Sequence, residues 1–185
     1  MALVEIMTIL NKEQSLEIKK RLAKKMKVEN SIIDWSSLSG DAPLWNLTKL
    51  QRVYEDLIVI NNKGRGTLLK NFSDFLSEQR KSILMFPADG FIVSFYFGDL
   101  NQSKNDIKSR PIIEVNVADL KNVKEIPKWI TPEDVYFFDE EFSWLLFLCH
   151  EKFQVLCGTY VFISRFKNYW INYKYYIDDK WSEIF

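Results

Sequence analysis

The chain has one histidine, His150, among its 185 residues, and that scarcity removes whole classes of chemistry. A metal site built on two or three histidines cannot form within one chain. Any Ser–His–Asp or Cys–His arrangement would have to use His150 as its base. Glycine is also sparse, at six residues. No G-x-G-x-x-G, G-x-x-x-x-G-K-[ST] or G-x-S-x-G occurs, which removes the dinucleotide fingerprint, the P-loop and the hydrolase elbow. Charge of either sign in excess is missing too: Lys+Arg and Asp+Glu both total 25. A dedicated binder of nucleic acid or of an anionic membrane normally needs a basic surplus. No apolar run reaches the roughly 18 residues that a membrane-spanning helix requires. Residues 1–7 lack a basic start and carry Glu5 within their apolar stretch, a poor secretory signal, so a cytoplasmic protein is expected. The two cysteines, Cys149 and Cys157, are then read as reduced, buried and small, although outside the cell they could close a short loop.

What is present is an ordinary globular composition, 47% hydrophobic and 27% charged, which suits a single domain over 1–185. Aromatic residues reach 15%, enough to serve either a core or a binding face. Asn11 followed three residues later by Gln14 is a capping-box signal for a helix over about 12–27, its exposed side crowded by Lys19, Lys20, Arg21, Lys24, Lys25 and Lys27. Pro43 and the spacing of Leu44, Leu47, Leu50, Tyr54, Leu57 and Ile58 predict a second helix over about 43–58. Leu68, Leu69, Phe72, Phe75 and Leu76 give the clearest amphipathic pattern, a helix over about 67–80. Its entry, Gly64-Arg65-Gly66-Thr67, reads as a flexible helix start rather than a phosphate cradle.

Strand signals follow. Residues 83–86 and 91–97 read as a hairpin, and 112–117 alternates between wet and buried. Residues 135–138, the turn 139–141 and residues 142–149 form a second hairpin, with a further strand near 153–156. Residues 159–166 either extend that strand or turn helical. The basic and aromatic residues of 162–176 are read as packing of a C-terminal segment onto the sheet. Helices followed by strands point to α+β, with N-terminal helices packed on one face of a mostly antiparallel sheet.

Two clusters carry candidate chemistry. The first is His150 with Glu151, which Asp139 could also orient, but Cys149 alternates away from His150 and only Cys157 could approach it across a hairpin. The second is the acidic run Glu133, Asp134, Asp139, Glu140 and Glu141, beside Trp144 and with no basic residue among them. Such a patch steers basic protein partners by long-range attraction.

The pattern Asp139-x-x-x-x-Trp144-x-x-x-x-x-His150-Glu151, in the last third of the chain, resembles one near the end of small uncharacterised bacterial cytosolic proteins. Some of these are thought to be toxin-immunity proteins. The resemblance implies a small α+β, non-enzymatic protein and carries over no catalytic residue. The leading expectation is therefore a cytoplasmic protein-interaction module, in its specific form an immunity-type inhibitor of a protein toxin. It would bind a protein partner through Asp139, Glu140, Glu141 and Trp144, without cofactor, metal, nucleic acid or membrane. The alternative is a small hydrolase or transferase with His150 as general base and Glu151 or Asp139 as its orienting partner.

Overall fold

A computed structural model of the chain describes residues 7–25, 53–80, 82–87, 112–122, 135–148 and 153–178. Asn11 and Gln14 form the expected capping box. The Gln14 amide donates to Asn11 Oδ1 at 2.9 Å, and the Asn11 amide donates to Gln14 Oε1 at 3.1 Å. The helix they open, α1, runs Lys12–Lys25, just after a short strand, β1, at Met7–Ile9.

The expected helix over 43–58 is corrected where the structure describes it. Residues 43–52 lie outside the described residues, but Asp56–Asn61 is a strand, β2. Leu57-Ile58-Val59-Ile60 is a continuous apolar run rich in β-branched side chains. Such a run favours a strand buried on both faces, and a short one cannot be told from a helix by periodicity. A single 3₁₀ turn, Asn62–Gly64, leads into helix α2, Arg65–Ser77, two residues ahead of its expected start.

Strand β3 spans Ser82–Pro87 and β4 spans Ile113–Asn116. The second half of the expected hairpin, 91–97, lies outside the described residues. A 3₁₀ segment follows β4 at Val117–Asn122. Strands β5 (Val135–Phe138), β6 (Trp144–Leu148) and β7 (Phe153–Gly158) complete the sheet. Residues 160–169 take the helical alternative, as α3 (Tyr160–Tyr169), with a 3₁₀ turn at Ile171–Tyr176. Thr159 caps α3 by accepting the Phe162 amide, and the Glu55 carboxylate accepts the Tyr160 amide at 2.8 Å, where the helix dipole favours a negative group.

The seven strands form one sheet in the order β1-β4-β3-β5-β6-β7-β2, with every pairing antiparallel. The α+β class therefore holds. Beyond β2 the chain folds back: Ile177 bridges Ile60, and the Asp178 amide donates to the Val59 carbonyl, which covers part of that edge. Among the described residues no helix is long and apolar enough to cross a membrane.

The helices divide between the two faces, where a single covered face was expected. Val135, Phe137, Trp144, Leu146, Leu148 and Leu156 point to one face and pack with Leu68, Phe72 and Leu76 of α2 and Ile163 and Phe166 of α3. Tyr136, Phe138, Leu145, Phe147, Val155 and Cys157 point to the other, together with Leu22 of α1. All fifteen residues of β5, β6 and β7 are buried, so apolar surface on both faces must be covered.

The two coverings differ in strength. Helix α2 buries five large apolar side chains, Leu68, Leu69, Phe72, Phe75 and Leu76, each contributing about 1.5–3 kcal/mol against exposure. Helix α1 buries Leu22 and rests Ile18 against the same cluster. Polar ties supplement it: Ser15 donates to the Leu10 carbonyl and accepts the Ile112 amide, and the Lys19 ammonium lies 5.4 Å from the Phe86 ring centre.

Gly64 is fixed by packing. A Cβ there would lie 2.5 Å from Ile60 Cγ2 and 2.6 Å from Tyr176 Cβ, whereas one at Gly66 would meet nothing within 4 Å. Gly64→Ala should therefore destabilise by about 1–3 kcal/mol through overpacking. Gly66→Ala, inside α2, should stabilise by about 0.4–1 kcal/mol. Urea unfolding of the two variants checks both signs.

Candidate functional site

The β5–β6 hairpin brings the acidic turn to the end of the sheet. Phe138 pairs with Leu145, and the five residues between Phe138 and Trp144 close the connection. The Phe142 amide donates to the Asp139 carbonyl at 3.0 Å, a β-turn with Asp at its favoured first position. Phe142 adopts φ 53°, the left-handed region, which a non-glycine side chain tolerates only when its surroundings hold it there. Here its ring is buried, 5.4 Å from the Phe138 ring centre, with the Arg21 guanidinium 5.7 Å away on the ring's own account. The Arg21 guanidinium also donates to the Glu140 carbonyl, which ties α1 to the turn.

Asp139 is the interior member of this turn. It is 2% exposed. Its Oδ1 accepts the Ser143 amide at 2.7 Å, its Oδ2 accepts the Ser143 hydroxyl, and Arg80 Nη1 lies 3.3 Å from Oδ2. A buried carboxylate needs such partners, since leaving it unpaired would cost several kcal/mol. Asp139 thus acts as the turn's anchor, and its carboxylate is spent on internal bonds.

Trp144 likewise goes to the core, where a binding residue was expected. It is fully buried, edge-on to Phe72 at 4.9 Å and stacked on Phe162 at 5.8 Å. The cause is β6 itself, whose five residues are all buried because both faces of the strand are covered. Glu140 and Glu141 are the exposed members of the set.

Those two side chains line a cleft of about 250 Å³ with Arg80, Ser82, Leu84 and Glu114. A wider cleft of about 760 Å³ adjoins it, sharing Leu84, Glu114 and Glu140 and bounded on its far side by α1. Leu84 and Glu114 are register partners on the α1 side of the sheet, and the Ser82 hydroxyl donates to the Glu114 carboxylate. Along β4 and the residue before it that side opens progressively: Ile112 is buried, Glu114 half-buried and Asn116 exposed. Sequence reading missed Arg80, Glu114 and Arg21 because they join the turn only through sheet pairing and helix docking. The one local signal was a charged residue, Glu114, inside an alternating strand.

Cys149, His150 and Glu151, on which an enzyme reading depends, lie outside the described residues, as do Glu133 and Asp134. Cys157 is described and is inaccessible. It sits between Leu57 and Leu145 in the sheet, and burial pushes its thiol well above the ordinary range, so it supplies no thiolate near neutral pH. Burial, with lesser contributions from Cys157 and Asp139, also raises the Tyr54 phenol far above its usual value. Among the described residues no group of three or more His, Cys, Asp or Glu side chains converges on a metal position.

The arrangement predicts opposite responses from adjacent carboxylates. Asp139→Ala should cost about 2–4 kcal/mol, because it orphans the Ser143 amide and removes the partner of Arg80. Asp139→Asn should cost less, since an amide oxygen can still accept from Ser143. Glu140→Lys with Glu141→Lys should change stability by no more than about 0.5 kcal/mol. Thermal unfolding of the three proteins tests the ranking. No family model, curated protein or solved structure matches this chain.

Proposed function

We propose that this protein is a protein-interaction module that receives a basic partner at the acidic turn. The observation that carries this reading is the juxtaposition of Glu140 and Glu141, exposed on a turn anchored by buried Asp139, with Glu114 from a distant strand in one cleft. A rigid carboxylate cluster binds a cationic surface with little ordering cost, and its field speeds encounter. Of the cations lining the clefts, Arg80 is engaged with Asp139, and Arg21 with the Glu140 carbonyl and the Phe142 ring, which leaves Lys20. The carboxylates of Glu114, Glu140 and Glu141 outnumber it.

In its specific form the module is an immunity-type inhibitor acting in the bacterial cytoplasm. A nucleic-acid-degrading toxin must present a basic surface to its substrate, and an acidic cleft is the complement of that surface. The hydrolase or transferase alternative rests on His150 and Glu151, and no observation among the described residues favours it.

Affinity capture of the tagged protein from its own cells, followed by mass spectrometry, should yield a stoichiometric basic partner. Glu140→Lys with Glu141→Lys should weaken that complex at least about ten-fold and flatten its salt dependence. A partner held equally well by the charge-reversed protein would move the site elsewhere. Recovery of no partner would contradict the reading.

A further inference from the structure

The cleft beside α1 has a chemistry that the acidic turn alone does not. Its apolar lining comes from Leu10, Leu16 and Ile18, with the edge of Leu84, which is only 4% exposed, between the helix and the sheet. Leu16 is 48% exposed, a large apolar side chain facing water on an otherwise charged helix. Glu13 and Glu17, one helical turn apart, stand on the same wall, with Glu114 and Glu140 across from them. The carboxylates of Glu13, Glu17, Glu140 and Glu141 make no ion pair among the described residues. Taken with Glu114 and Asp139, six carboxylates line the two adjoining clefts against three cations, Lys20, Arg21 and Arg80.

A lining of apolar side chains among an excess of carboxylates selects one kind of occupant. A uniformly basic strand would satisfy the carboxylates but leave the apolar side chains wet. An acidic amphipathic segment would satisfy the apolar side chains but be repelled by the carboxylates. We propose that the groove between α1 and the β3–β4 strands binds a basic amphipathic segment of the partner, its apolar residues against Leu10, Leu16 and Ile18 and its Lys or Arg residues toward the flanking glutamates. This rests on the reading of the acidic turn as a binding site and deepens it. The cleft of about 760 Å³ is within the usual range for ligand-scale sites, about 300–1,000 Å³, room for a few side chains of one segment. An amphipathic helix in a groove is a recurring recognition mode of this shape.

Fluorescence anisotropy with a labelled Leu/Lys amphipathic peptide tests the assignment on the full chain. Two further peptides serve as comparators: a Ser/Lys analogue that keeps the charge, and a Leu/Glu analogue that keeps the apolar face. The Leu/Lys peptide should bind, and both analogues should bind at least about ten-fold more weakly. Leu16→Ser, and Glu13→Gln with Glu17→Gln, should each weaken the Leu/Lys peptide by a similar factor. Equal binding of the Ser/Lys and Leu/Lys peptides, or unchanged affinity in Leu16→Ser, would overturn the groove. The basic-partner reading would then still be decided by the capture experiment. Binding of the Leu/Glu peptide, or no binding of the Leu/Lys peptide, would also overturn it. The peptide comparison needs no variant, so it stands even where a substitution disturbs folding.

Discussion

The constraint on which this structure depends is that β5, β6 and β7 are buried on both faces. A strand in that position has no wet side, so each of its residues needs a packing partner above or below the sheet. That requirement places α2 and α3 on one face and α1 on the other, and it draws Trp144, Phe72, Phe162 and Phe166 into a shared aromatic cluster. It also leaves few positions for polar groups. Ser73 is buried but donates to the Val117 carbonyl at 2.7 Å, so its burial is compensated. Gln154 is fully buried with neither amide atom hydrogen-bonded among the described residues, a departure from the usual satisfaction of buried polar groups. The structure offers no physical account of it.

Charge is therefore pushed to the ends of the strands and to the helix surfaces. At the β5–β6 tip, Asp139 enters the interior and is paid for by Ser143 and Arg80, which holds Glu140 and Glu141 outward. The neighbouring α1 is attached by few apolar side chains and several polar ones. On one face of the sheet α2 buries five large side chains, and on the other α1 buries Leu22 and rests Ile18 against the cluster.

Much of this was legible from residue order. The capping box at Asn11 and Gln14, the helix around Phe72 and Phe75, and the hairpin through the 139–141 turn are local patterns, and local hydrogen bonds and periodicity realise them. The strand at Asp56–Asn61 was misread because a short apolar run reads equally well as a helix turn. The Ile58 and Ile60 side chains share one face only once β7 lies alongside. Trp144 was read as a binding residue beside three acidic residues. The unbroken apolar run Trp144–Leu148 was the better signal, since a strand with no polar alternation is buried on both sides. The partnership of Asp139 with Arg80 and the approach of Glu114 had no such signal. They join residues far apart in the chain, and only the sheet order brings them together.

The central claim is that buried Asp139 makes the acidic turn a fixed platform for Glu140 and Glu141. Native-state hydrogen exchange at the Phe142 and Ser143 amides tests it most directly, because both donate to Asp139. The account predicts protection comparable to the paired amides of β6, since the turn should open only with the strands it joins. Exchange at the rate of an exposed loop, with β6 still protected, would mean a turn that opens on its own and would contradict the platform.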